Sequence, residues 1–205
     1  MANNVAVDLS KLYEPHPFQV RVHESTAKNK VIEAARRLGK SRVALWELIK
    51  TWTEVVQTPA APSLQPPFHA WIVAPSYPQS EQVWNELMAF IPEQWMRRPP
   101  NQEYKRIELN GQPGGRSWGL IEVKSAHDPE SLQTAGLDFL WVTEAQELHN
   151  RAFEKMRPMV NSPNRLGRAV WEGIPALWRD HWFWRVCAYA AAGHDNYDYF
   201  HGTVY

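Results

Sequence analysis

One cysteine, Cys187, stands among 205 residues, so no internal disulfide can form and no multi-cysteine zinc site can be built. A reducing interior suits such a chain, and any metal is expected on oxygen ligands. No apolar run approaches the roughly 20 residues that cross a bilayer. The first residues, "MANNVAVDLSKLYE", lack a basic segment leading into an apolar core, so neither export nor membrane insertion is signalled. An excess of charge of one sign is missing as well: 22 Lys plus Arg balance 22 Asp plus Glu. That balance argues against an autonomous, strongly basic nucleic-acid binder and leaves room only for local or shared DNA contacts. There is no internal repeat and no low-complexity tract.

What is present is ordinary globular material, 44% hydrophobic and 21% charged, in a length that suits a single domain with one sizeable core. Of the 11 tryptophans, Trp71, Trp84, Trp141 and Trp171 lie in apolar patterns that predict core packing. Residues 13–30, "YEPHPFQVRVHESTAKNK", predict a turn and a short helix leading into the strand "KVIEA". In "GKSRVALWELIKTWTEVVQ" the spacing of Val43, Leu45, Trp46, Ile49, Trp52 and Val56 predicts an amphipathic helix. Residues 58–67, "TPAAPSLQPP", are too proline-rich for either element and predict an exposed connection.

Beyond it "FHAWIVAPSYP" predicts a buried strand, and "SEQVWNELMAFI" a helix capped by Ser80. Residues 104–126 predict a hairpin with a mobile glycine-rich tip. "GLDFLWVTEAQEL" has the form of a buried parallel strand closed by acids at its C-terminal end. A helix "RAFEKMRPMV", a strand "RAVWEGIP" and an aromatic helix "WRDHWFWRVCAYAAAG" precede the last segment, "NYDYFHGTVY". Strands alternating with helices imply a mainly parallel central sheet with helices on both faces.

The chemistry concentrates in "AARRLGKS", residues 34–41. A phosphate-binding loop follows G-x-x-x-x-G-K-[ST]; here the first glycine is Ala34, so the loop entrance must avoid positive φ at that position. Ala35, Arg36, Arg37, Leu38 and Gly39 would curl their N–H groups toward phosphate oxygens at a helix N-terminus, continued by Lys40, Ser41 and Arg42. Lys40 supplies the cation for the β- and γ-phosphates of ATP, and the Ser41 hydroxyl a ligand for Mg²⁺. Gly-Lys-Ser alone is a common tripeptide; its place between a predicted strand and a predicted helix gives it weight. Arg36 and Arg37 can make bidentate phosphate contacts and stabilise charge on a transferring phosphoryl group, or simply pair with surface carboxylates.

The second constellation is Thr143-Glu144 at the end of "FLWV". Such strands ordinarily end in Asp-Glu, the first residue serving the metal and the second polarising the attacking water. Glu144 is therefore the candidate general base. Thr143 reaches the metal's water shell without contributing charge, and Glu147 reads as a solvated carboxylate at a helix start.

In their order these segments resemble the N-terminal ATPase domain of the large terminase subunit, the DNA-packaging motor of tailed bacteriophages and related viruses. "YEPHPFQ" looks like that family's adenine-recognition segment, with Gln19 as the base-reading amide. "AARRLGKS" is similar to its altered phosphate loop, "WIVAPSYPQSEQVW" to the segment after its second strand, "IEVKSAHDPESLQTAGLDFLWVTEAQEL" to its path into the acidic strand, and "WEGIPALWRDHWFWRV" to its coupling segment. The resemblance implies a P-loop NTPase fold of the ASCE/RecA-like type that hydrolyses ATP with Mg²⁺ to drive double-stranded DNA into a procapsid. Implied partners are DNA, a portal protein, a small terminase subunit and further copies in a ring, with a monomer expected in isolation, in the host cell cytoplasm. Arg36 matches the in-loop arginine of that family, a catalytic position with Lys40 and Glu144. The family's C-terminal nuclease is not expected in residues 1–205, so the chain reads as an isolated motor domain.

Three positions depart from the family pattern. Thr143 replaces an acid. Ile174 stands where a small hydroxyl residue commonly links the γ-phosphate state to domain motion, so that link is missing or moved. Gln133 occupies the place of an inter-subunit arginine finger, leaving Arg116, Arg151 and Arg157 as candidates. Two other functions fit the same motifs: a nucleotide-binding structural ring subunit with little hydrolysis, and a helicase-like translocase, although the second motor domain usual in such helicases is not expected in residues 1–205. The cluster "MRRPPNQEYKR" is either a solvated turn or a DNA contact.

Overall fold

The computed structural model describes residues 13–59, 64–111, 116–134 and 136–203. Its elements run α1 (Pro17–Glu24), β1 (Asn29–Ala34), α2 (Lys40–Val56), β2 (Phe68–Ala74), α3 (Tyr77–Phe90), β3 (Arg106–Asn110) and β4 (Trp118–Ser125), then β5 (Phe139–Val142), α4 (Asn150–Met156), β6 (Arg168–Gly173), α5 (Trp182–Ala191) and β7 (Tyr197–Gly202). Among the described residues seven strands form one sheet in the order β3-β4-β2-β5-β6-β1-β7. Only the β3–β4 hairpin is antiparallel; every other pair is parallel.

The apolar runs of the central strands follow from burial on both faces, where a parallel strand has no solvent side to alternate with. Ala70 and Ile72 of β2, Phe139 and Trp141 of β5 and Val170 of β6 pack into one core with α1, α2 and α3. Their neighbours Trp71, Val73, Leu140, Val142 and Trp171 pack into a second with α4 and α5 on the opposite face. This is the P-loop-type α/β architecture. Trp71, Trp84, Trp141 and Trp171 are all buried.

Local expectations needed adjustment at several points. Ser76, not Ser80, caps α3, because Tyr77 and Pro78 already begin the helix and proline is tolerated in its first turn; Ser80 is buried one turn further on and its Oγ donates to the Tyr77 carbonyl. The helix after β5 ends at Met156 and tightens into a 3-10 turn over Arg157–Asn161, where Pro158 interrupts it. The last helix starts at Trp182 under a His181 cap, so residues 178–181 lie outside it. Residues 197–202 form the edge strand β7, paired with β1 from Asn29↔Tyr197 to Ala34↔Gly202. In the proline-rich connection, residues 60–63 lie outside the described residues, as do 112–115 at the hairpin tip; Pro67 is buried rather than exposed.

Register sets up the site. Ile32 of β1 pairs with Glu172 of β6, and Val142 of β5 pairs with Trp171. The C-terminal ends of β1, β6 and β5 therefore meet along one edge, with the start of α2 directly after β1, as ligand sites in such sheets require.

Candidate active site

The chain leaves β1 at Ala34 and turns into α2 within five residues. Positive φ falls at Arg37 (67°) and Gly39 (72°), not at Ala34, so the missing first glycine is accommodated by moving the left-handed positions inward. For Arg37 that conformation costs about 1–2 kcal/mol. A side chain at Gly39 would also displace the Gln19 amide, since a Cβ there would sit 2.3 Å from Gln19 Nε2. Gln19 donates from Nε2 to the Gly39 carbonyl (3.2 Å) and accepts the His16 N–H at Oε1 (2.7 Å). Its amide thus clamps α1 to the loop, while one N–H and one lone pair stay uncommitted. The other end of the loop is tied to the sheet edge, where the Ala35 N–H donates to the Gly202 carbonyl at 2.9 Å.

No side chain caps α2 at Gly39. The first N–H groups of this 17-residue helix are left for an anion, with the helix dipole behind them. Lys40 is buried and folded back, donating to the carbonyls of Ala34 (3.2 Å) and Ala35 (3.3 Å). Ser41 is half-buried and Arg42 exposed, its guanidinium 5.4 Å above the Phe90 ring. Leu38 packs against the core. Arg36 and Arg37 are exposed, and neither makes an ion pair among the described residues.

Across the strand ends, Thr143 is buried with its N–H on the Val73 carbonyl (3.0 Å). Glu144 is half-buried in the left-handed region, φ 46° and ψ 47°, a conformation that a non-glycine residue holds only when its surroundings fix it. Its carboxylate is held by Gln146, whose Nε2 donates to Glu144 Oε2 (2.7 Å) while its Oε1 accepts the Ile174 N–H (3.1 Å). Lacking a hydroxyl, residue 174 joins the acidic strand through its backbone instead. Glu147 is exposed and accepts from Gln79 Nε2 at 2.8 Å.

One residue at this edge was not picked out from the sequence. Glu172, on β6 between Thr143 and β1, is 1% exposed. Its Oε1 accepts from Trp141 Nε1 (3.3 Å), and its Oε2 has no partner. Burial pushes its pKa up to about 7; the Lys40 charge and the neighbouring Thr143 and Trp141 side chains pull it down, and Glu144 raises it. The charges of Lys40 and Glu144 both act on this buried carboxyl, and the register of β1, β6 and β5 sets the loop and the acidic strand at the same end of the sheet. The available signal was a lone acid inside the apolar run "RAVWEG", flanked by residues that pack on both faces.

Ser41 and Thr143 hydroxyls and the unpartnered Glu172 oxygen are hard donors, the type that Mg²⁺ takes alongside phosphate oxygens and water. Among the described residues no three His, Cys, Asp or Glu converge into a ready-made cage, so the residues fit a cation shared with a bound phosphate.

Other expectations sort by burial. Arg116 is 7% exposed and donates to the Pro67 carbonyl and to Asp138 Oδ2 (3.1 Å); it is committed to the core and unavailable to a neighbouring subunit. Arg151 pairs with Glu130, and both it and Arg157 are exposed. In the basic cluster Arg98 pairs with Glu108, Lys105 with Glu81 and Arg106 with Glu122, while Arg97 lies over Trp118, the pattern of a solvated, internally balanced turn. A cavity of about 400 Å³ lined by Phe153, Glu154, Arg157, Pro158 and Asn161 shares no residue with the loop.

No family model matches the chain. Over 146 residues it is 31% identical to the large terminase subunit of Thermus phage G20c, covering 65% of this chain and 28% of that protein; the large terminase subunit of Thermus virus P23-45 matches to the same extent. The chain thus spans little more than a quarter of the length of these curated relatives. In structure it is similar to the large terminase ATPase domain of Thermus phage P74-26, with a TM-score of 0.75 at 22% identity over 96% of this chain and 85% of that one. It is also similar to the large terminase of a second thermophilic bacteriophage in complex with ADP, with a TM-score of 0.57 at 10% identity over 77% and 38% of the two chains.

Proposed function

The chain is a homologue of large terminase subunits and has the fold of their ATPase domains, and from that premise we propose that it is the ATP-hydrolysing motor domain of a viral DNA-packaging machine. The observation that carries this reading is the parallel register that brings the loop after β1, with Lys40 at the uncapped start of α2, and the end of β5, with Glu144, to the same end of the sheet on either side of β6. The ADP complex of the thermophilic bacteriophage terminase supports a nucleotide as the ligand.

The residues divide the work among them. The N–H groups that open α2 take phosphate oxygens, and Lys40 exchanges the Ala34 and Ala35 carbonyls for the β- and γ-phosphates. Gln19, holding the loop from the α1 side, presents its remaining N–H and lone pair to adenine. Glu144, aimed by Gln146, accepts the proton of the attacking water as its oxygen bonds to the γ-phosphorus and the bond to the ADP oxygen breaks. Arg36, exposed at the loop, offsets the charge spreading over the transferred group. Ser41, together with Thr143, would hold Mg²⁺, which when bound would neutralise phosphate charge.

At the level of the machine, several copies sit as a ring on a portal protein, a small terminase subunit delivers the viral double-stranded DNA, and hydrolysis moves that DNA into the procapsid in the host cytoplasm. In isolation the domain is a monomer, and a neighbour's arginine, for which Arg151 and Arg157 are the exposed candidates, completes the site. Calorimetric titration with ADP tests the nucleotide assignment: Lys40→Ala is expected to weaken binding by at least about tenfold, because a charge-assisted phosphate contact is worth about 1.5–3 kcal/mol. Equal affinity in the two proteins would refute it.

A further inference from the structure

We propose that Glu172 supplies, from β6, the acidic group of the metal half of the nucleotide site that Thr143 does not supply from β5. The inference rests on reading the loop as a nucleotide site and adds to it the residue that answers for the bound cation.

Three observations converge on it. Register sets residue 172 level with Thr143: Val142 of β5 pairs with Trp171 of β6, one step earlier on each strand. The side chain of Glu172 faces the α2 side of the sheet, as Val170 does, and so lies under the helix that carries Lys40 and Ser41. Its Oε2 is buried without any partner. A buried carboxyl oxygen without a partner is costly, and it calls for an ion, a ligand or a water to answer it. A carboxylate one strand away from its usual position still serves an ion that keeps much of its water, because contact through that water does not demand a fixed strand of origin. The neutral Thr143 beside it then relieves the repulsion that two adjacent acids would create at this edge.

The test is calorimetric titration with ADP, once with Mg²⁺ and once with EDTA, of the wild type, Glu172→Gln and the double variant Glu172→Gln/Thr143→Asp. Gln keeps the shape and the Trp141 hydrogen bond. The expected result is an unchanged affinity in EDTA, a gain from Mg²⁺ reduced by about tenfold or more in Glu172→Gln, and its recovery in the double variant. A Mg²⁺ gain that is intact in Glu172→Gln overturns the proposal, as does parallel loss of affinity in EDTA, which marks a packing role. A wild type that binds ADP without any gain from Mg²⁺ overturns the metal role alone; a wild type that binds no ADP in either condition refutes the nucleotide site itself. Should Glu172→Gln fail to fold, Thr143→Asp in the wild type decides the matter. Little further gain from Mg²⁺ is expected, and a gain of about tenfold or more would show that the acidic group had been missing.

Discussion

Removing the Gln146 side chain isolates one link in the site. Its Nε2 holds Glu144 at 2.7 Å and its Oε1 holds the Ile174 N–H at 3.1 Å, so it acts through Glu144 and not on the nucleotide. A hydrogen bond to a charged acceptor is worth about 1.5–3 kcal/mol, and each 1.36 kcal/mol in the barrier is about tenfold in rate. Glu144 is half-buried, so water replaces part of the lost contact and the lower end applies. Gln146→Ala should therefore cut kcat for ATP about tenfold while the calorimetric affinity for ADP and the melting temperature stay close to wild type. A kcat within about twofold of wild type in Gln146→Ala, or a loss confined to KM, would refute the positioning role.

Two further outcomes follow from other parts of the molecule. Gln19→Ala should reduce the preference for adenine over guanine nucleotides and also loosen the loop, since the same amide grips Gly39; undiminished discrimination in competition titrations would remove Gln19 from base reading. Glu122 is buried, and although burial alone would raise its pKa, hydrogen bonds from His69, Lys124 and Trp71 outweigh that and hold it well below the usual carboxylate range. Its stabilisation is complete above the unfolded-state value of about 4.3 and is lost as pH falls below that value. The melting temperature should thus drop below about pH 4.3, and less steeply in Glu122→Gln; parallel curves for the two proteins would contradict the assignment.

Most of the fold was legible because its elements carry their signal locally. The runs "KVIEA", "FHAWIVA" and "DFLWV" read as strands because they are buried on both faces, and α2 read as a helix because its buried residues recur at three and four. The edge strand β7 gave no such signal: "YDYFHG" pairs along one edge only, none of its residues is fully buried, and it mixes aromatic with polar residues. The α3 cap was misplaced by four residues because two serines, Ser76 and Ser80, both precede a helical pattern, and only the backbone decides which lies outside it. In the site, Lys40 and Glu144 could be named from short motifs. Glu172 and Gln146 could not, since their roles come from contacts between segments about 30 residues apart, a juxtaposition that only the parallel sheet creates.

The most direct measurement is Mg²⁺-dependent ATP hydrolysis across a wide range of protein concentration, with Glu144→Gln as the paired control and ADP binding followed in both proteins. A motor completed by its neighbour predicts a rate per subunit that climbs with concentration and disappears in Glu144→Gln while ADP still binds. Hydrolysis by Glu144→Gln at the wild-type rate would contradict the assignment of the base and, with it, this site as the seat of the chemistry.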